Sequence, residues 1–210
     1  MPSVPYGQWD CYRASLMNEA TFASHGMAYV SAALKRAGHE CWLVDLRKCG
    51  SWSHFENVLR DQRFDVAFVG FLSIDAFNAA CVVRLLKELH PDKPVVVGGL
   101  HVSIAHEDVF PRDDLVEYYC FGNVDHYPDV FRQFLSWKGG YTYDPLQFTK
   151  ADYVIHNDGE DAALWLVDEL SAGRRPEKRT LEGGAVPLTK VPFPDRDLFD
   201  INVEAYSPIL

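Results

Sequence analysis

Long apolar runs, basic stretches and clustered cysteines are all missing from this chain of 210 residues. No window approaches the roughly 18 apolar residues of a membrane span. The opening Met1 to Trp9 is polar and rich in Pro and Gly, without the apolar centre of a leader. Lys and Arg number 20 against 30 for Asp and Glu, a net charge of -10, so the electrostatic footprint that a phosphate backbone demands is lacking and nucleic acid is not an expected partner. The five cysteines, Cys11, Cys41, Cys49, Cys81 and Cys120, are odd in number and scattered, with no Cys-x-x-Cys or Cys-x-x-x-Cys-x-x-Cys among them. They read as reduced thiols of a cytoplasmic protein. Also missing are a G-x-G-x-x-G after the first strand, a G-x-x-x-x-G-K phosphate loop and a G-x-S-x-G elbow, which removes the usual marks of dinucleotide, nucleotide and esterase chemistry.

What the chain does contain is an alternation of two periodicities. Met27, Val30, Leu34 and Ala37 recur at helical spacing and Gly38 follows where a left-handed cap would sit. Cys41 to Leu46 then reads as a short buried strand, Phe55, Val58 and Leu59 as a brief helix, and Val66 to Leu72 as a second buried strand. Both strands lack polar alternation, as expected of a parallel sheet covered on both faces. Val82, Leu85, Leu86 and Leu89 mark a helix ended by Pro91, and Val95 to Val97 a strand closed by Gly98 and Gly99. Two further units follow: strand 116–121 with a helix carrying Tyr127, Val130, Phe131 and Phe134, and strand 153–155 with a helix carrying Ala163, Leu166, Val167 and Leu170. The fold class is α/β: a doubly wound, Rossmann or flavodoxin-like, mainly parallel sheet with helices on both faces and right-handed crossovers. Residues 1–172 form the domain, with an extra strand-helix unit around 115–150. After Gly173 the composition turns to charge, Gly and Pro, and residues 173–210 read as an extended linker or tail.

In an open parallel sheet, ligands bind outside the carboxyl ends of the strands. The candidates are the residues just past each strand: Asp45 and Arg47; Ser73, Ile74 and Asp75; Gly98, Gly99, Leu100 and His101; Asp158, Gly159 and Glu160. Ser73 offers a small hydroxyl, and the paired glycines leave backbone uncovered for the close approach of a large planar ligand. The residues alone favour a plainer account, in which the glycines turn the chain and Ser73 caps the next helix. Asp75, Asp158 and Glu160 have no nucleophile or phosphate cradle beside them and read as carboxylates favoured at helix N-termini. His101 and His106 lack metal-site spacing with cysteine or carboxylate partners.

The segments GMAYVSAALKRAGHECWLVDL, FDVAFVGFLSIDAFNAACVVRLLKELHPDKPVVVGGLHVSI, DYVIHNDGEDAALWLVDELSAG and VPFPDRDL follow one another over most of residues 26–200. Their order and spacing resemble the N-terminal, cobalamin-binding half of cobalamin-dependent radical S-adenosylmethionine enzymes. No single piece is decisive; the series is specific. The resemblance implies a cobalamin-binding module serving methyl transfer or related radical chemistry, with the corrin across the carboxyl edge and its nucleotide tail beside Ser73 and the paired glycines. It implies cofactor contacts from Ser73, Ile74, Gly98, Gly99, Leu100, His101, Asp158, Gly159 and Glu160. The cofactor would be methylcobalamin or hydroxocobalamin. Aligning the Asp-x-His-x-x-Gly motif of methionine-synthase-type domains on Gly26 puts Thr21 and Ala23 where the aspartate and cobalt-ligating histidine would stand. No metal ligand from this chain is therefore expected, and His25 reads as a solvent-facing residue at the start of a helix.

Two departures accompany the resemblance. The family's opening apolar strand has no convincing counterpart before Gly26, and VPFPDRDL normally precedes a catalytic barrel whose three cysteines hold an iron-sulfur cluster beside S-adenosylmethionine. Those two groups are expected only with a separate or missing radical S-adenosylmethionine domain or chain, and catalysis by this chain alone is not. Two other readings stand beside the first: a regulatory or protein-interaction domain that kept the fold and lost the cofactor, its aromatic-rich stretch 118–143 covering the ligand edge or a partner; and an unrelated small α/β transferase or hydrolase.

Overall fold

Burial on two sides at once organises this chain. The computed structural model describes residues 24–44, 49, 52–72, 76–105, 151–187, 189 and 191–198. Helix α1 is His25–Arg36, α2 Trp52–Asp61, strand β1 Ala67–Gly70, α3 Ala76–Leu89, β2 Val95–Gly98, α4 Leu100–Ala105, β3 Tyr153–His156, α5 Glu160–Ser171 and β4 Thr180–Glu182, followed by a 3-10 turn at Arg196–Leu198. The four strands make one parallel sheet in the order β1-β2-β3-β4.

Alternate residues of each strand feed separate cores. Ala67, Val69, Val95, Val97 and Val154 pack with Phe55 and Leu59 of α2, Val83, Leu85 and Leu86 of α3 and Val102 of α4. On the other face Phe68, Val96, Tyr153 and Ile155 pack with Val30 of α1, Ala163 and Leu166 of α5, and Leu181 of β4. This double coverage is why the strands read as unbroken apolar runs. Leu85, Val95, Val97, Val154 and Leu166 are wholly buried, and each such side chain contributes about 1.5–3 kcal/mol by leaving water. Helix α1 stops where the sequence says it should: Gly38 adopts φ +96. His39 N–H bonds Leu34 O and Gly38 N–H bonds Lys35 O, a Schellman pair that satisfies the last carbonyls. Lys35 and Arg36 occupy the last turn, where the helix dipole favours cations.

Three sequence expectations need correction. Of the expected strand Cys41 to Leu46, residues 41–44 join no ladder, although Val44 packs on the first core, and Asp45 and Leu46 lie outside the described residues. An apolar run reveals burial, whereas a strand also needs a neighbour with free backbone groups. The segment after Gly173 is not wholly a tail, because Thr180–Glu182 pairs with β3 as a fourth strand and the 3-10 turn packs on α1. Finally, the crossovers do not share one hand. β1-α3-β2 and β3-α5-β4 advance in the same direction along the sheet, yet α3 lies on one face and α5 on the other. One of the two therefore breaks the right-handed rule, and α5 gains its place by packing against α1. The unit at 115–150, the segment before Ser24 and residues 199–210 lie outside the described residues.

Candidate functional site

Because all four strands are parallel, the chain leaves each at the same edge. The carboxyl rim is made by Phe71 and Leu72 after β1, Gly99 to Ser103 after β2, Asn157 to Glu160 after β3 and Gly183 after β4. Of the sequence candidates, the rim brings together Gly98, Gly99, Leu100, His101, Asp158, Gly159 and Glu160. Ser73, Ile74 and Asp75, like Asp45 and Arg47, fall outside the described residues.

The glycines have a reason internal to the chain. Gly99 has φ +105, and a Cβ on it would stand 2.6 Å from Phe71 O and 2.8 Å from Phe71 N. The backbone leaving β1 therefore occupies the space a side chain would take, and only glycine fits. A Cβ on Gly98 would meet Ile155 O at 3.2 Å. This is the plainer account of the pair realised in geometry: close strand-end packing uses the room. Gly183 is the most crowded, since a Cβ there would overlap the carbonyl of Asp158, while its N–H bonds His156 O at 2.8 Å.

The side chains divide into supports and exposed surface. His101 is buried, its ring tilted 31° on Phe71 with centroids 5.4 Å apart; it braces the rim from beneath. Leu100 is 60% exposed, Ile104 76% and Leu72 46%, so two adjacent strand ends present apolar surface to solvent. Half of the exposed large apolar residues among those described stand here, the others being Trp42, Trp165 and Phe193. Ser103, not singled out from the sequence, ties two strand ends together. Its hydroxyl donates to Gly99 O at 3.2 Å and accepts from Asn157 N–H at 2.9 Å, which steadies Asn157 at φ 65. A serine in the first turn of a helix just after Gly-Gly was the available signal.

Glycine 159 caps α5 without a side-chain bond, and Glu160 and Asp161 fill its first turn, where the helix dipole favours carboxylates. Asp158 is exposed. Glu160 Oε2 is shielded from solvent yet has no hydrogen-bond partner among the described residues. A buried acceptor left unmatched costs on the order of 1–3 kcal/mol, so this oxygen is suited to an N–H donor from a ligand. From the other side α1 leans on the same edge: a Cβ on Gly70 would meet Met27 Cγ at 3.2 Å, and one on Gly159 would meet Val30 Cγ2 at 3.6 Å. His25 opens α1 and is exposed.

The rim so assembled joins exposed apolar side chains, tight glycine turns and one orphaned acceptor. Comparison with known families gives it a context: a family model described as B12 binding domain matches residues 19–128, just over half of the chain. The chain belongs to the B12-binding domain family. The matched span takes in α1, β1, β2 and the Gly98 to His101 turn, and ends before β3. No curated protein and no solved structure matches the chain. Among the described residues, no helix is long and apolar enough to cross a membrane.

Proposed function

We propose that this member of the B12-binding domain family is the cobalamin-holding module of a cobalamin-dependent radical S-adenosylmethionine enzyme. The corrin lies along the carboxyl rim, and cobalt takes no histidine ligand from this chain. The carrying observation is the family match over a segment whose strand ends expose Leu72, Leu100 and Ile104. A corrin has broad apolar faces fringed by amides, and the rim has both kinds of partner. Leu72, Leu100 and Ile104 supply apolar surface, and Glu160 Oε2 an acceptor for an amide N–H. Gly98, Gly99, Asp158 and Gly159 line the edge where the nucleotide tail enters, with His101 beneath; the resemblance adds Ser73 and Ile74 as further contacts. When bound, cobalamin supplies a transferable methyl group; the protein contributes seating and orientation.

The enzyme context rests on the series ending in VPFPDRDL. It also implies that the iron-sulfur cluster and S-adenosylmethionine reside in another domain or chain. The test of binding is direct. Purified protein mixed with hydroxocobalamin or methylcobalamin and then desalted should keep about one equivalent of corrin absorbance; a colourless protein overturns the reading. Adjacent coding sequence without a Cys-x-x-x-Cys-x-x-Cys segment, in the same or a neighbouring frame, would count against the enzyme context alone.

One observation favours a second reading, a regulatory domain that kept the fold and lost the cofactor. Gly99 and Gly183 are explained by the chain's own backbone, so the rim's glycines do not by themselves require a ligand. Loss of colour on desalting, together with an unchanged melting temperature in the presence of cobalamin, is the outcome this reading expects.

A further inference from the structure

We propose that Asp195 is a positioning residue for the cofactor rim: by clasping helix α1 it ties residues 191–198 to the helix that leans on two strand ends. The inference deepens the proposed function and rests on the rim being the cobalamin seat. It goes beyond the family match, because residues 191–198 lie outside the matched span.

Three bonds make the clasp. Asp195 N–H donates to Ala28 O at 3.0 Å, and Asp195 Oδ2 accepts from Ser31 Oγ at 2.5 Å and pairs with Lys35 Nζ at 2.7 Å. The anchors at 28, 31 and 35 share one helix face. The carboxylate is only 9% exposed and Ser31 is buried, so that bond is shielded from water, while the pair with Lys35, itself 38% exposed, is shielded on the carboxylate side alone. Pro192 and Pro194 flank the exposed Phe193, and fixed proline φ angles lower the entropy lost when the strap docks.

The same helix reaches the rim one residue away. Met27 stands against Gly70 at the end of β1, and Val30 against Gly159 at the end of β3. Helix α1 is therefore held between the sheet on one side and the strap on another. If the strap releases, α1 loses three of its anchors, and the apparent affinity for a rim ligand falls by the fraction of molecules in which α1 remains seated.

The test uses the full chain with Asp195→Asn, Lys35→Met and the conservative Lys35→Arg. In cobalamin-free protein, tryptic cleavage after Arg196 and amide exchange over residues 25–30 and 159–161 should both quicken in Asp195→Asn and Lys35→Met. Lys35→Arg should restore wild-type behaviour. With hydroxocobalamin, the apparent dissociation constant should rise about threefold to tenfold in the first two variants, and Asp195→Asn should add nothing in a Ser31→Ala, Lys35→Met background. Faster cleavage with unchanged exchange at the rim overturns the proposal, as does an unchanged dissociation constant in the variants when the wild type binds. A wild type that holds no cobalamin defeats the proposed function instead, and the exchange arm still decides the clasp.

Discussion

The two edges of the sheet are built on opposite principles. At the amino edge a network of polar groups is tied to other parts of the chain. Asp152 Oδ2 accepts from Lys87 Nζ at 2.9 Å and from Val95 N–H at 2.8 Å, and Lys87 also reaches Lys93 O. Arg179 bonds Asp152 O and Ala151 O, Arg175 bonds Asp92 O, and Lys93 pairs with Asp65. At the carboxyl edge the chain crowds its own backbone through Gly99 and Gly183, exposes Leu100 and Ile104, and leaves Glu160 Oε2 unmatched among the described residues. Among the described residues, the polar network lies at one end and the open acceptor and exposed apolar side chains at the other, which is the end where we propose that cobalamin binds. If the proposed site is the rim, stability and binding separate along the strand direction, and substitutions at the two ends test that separation.

The harshest break is Gly183→Ala. The added methyl overlaps the Asp158 carbonyl, which is backbone and cannot swing aside. The β3-β4 exit must therefore shift, and with it the turn that carries Asp158 to Glu160. A loss of about 3–5 kcal/mol is expected, seen as a fall of roughly 10 °C in the melting midpoint. A midpoint within a degree or two of wild type would show that the crowded rim is not a structural requirement.

Much of this architecture is legible in the sequence. The spacing of Val82, Leu85, Leu86 and Leu89 finds α3, and Gly38 marks the stop of α1, because both signals are local. Strands β1 to β3 show as apolar runs because both their faces are buried. What stayed hidden depends on distant partners. β4 contributes only Leu181 to a core, and a three-residue edge strand among charged residues has no period to detect. Helix α4 is too short for one as well. Gly99 is legible as a special position, but the sequence does not say that Phe71 backbone, not a ligand, fills the space beside it. The docking of Asp195 spans 164 residues and has no local mark.

A matched pair sharpens the comparison at intermediate cost. Asp152→Ala at the amino edge strips Val95 N–H and Lys87 of a shared acceptor. It should cost about 2 kcal/mol and lower the melting midpoint by roughly 4–8 °C, with cobalamin retention per folded molecule unchanged. Glu160→Leu at the carboxyl edge removes an acceptor with no partner among the described residues but also a carboxylate that the α5 dipole favours, so the cobalamin-free protein should keep its stability to within about 1 kcal/mol. Its cobalamin affinity should fall about tenfold, the worth of one hydrogen bond. Thermal melts and equilibrium titration with hydroxocobalamin measure both. The opposite pattern would erase the distinction between the edges.

The smallest effect lies between the two edges, at the clasp, and its sign can be worked out in advance. Burial pushes the Asp195 carboxyl up, but bonds from Lys35 and Ser31, the Lys35 charge and a backbone bond at Leu198 outweigh it and hold the group below its ordinary value of 3.8. A carboxyl that is more acidic in the folded state binds fewer protons there than when unfolded, so folding gains stability as pH rises through this range. The contribution is complete above the ordinary value and is lost as pH falls through the lowered one. Burial, the largest influence on Cys41 beside it, pushes that thiol above its ordinary 9.0, so Cys41 stays neutral throughout the window. Melting midpoints of wild type and Asp195→Asn should therefore differ most near neutral pH and converge as the pH falls below the ordinary carboxyl value and through the lowered one. General acid destabilisation acts on both proteins and cancels in the difference. A gap that widened in acid would mean that Asp195 takes up its proton more readily in the folded chain than in the unfolded one, and the clasp would then not be the ionic lock its distances describe.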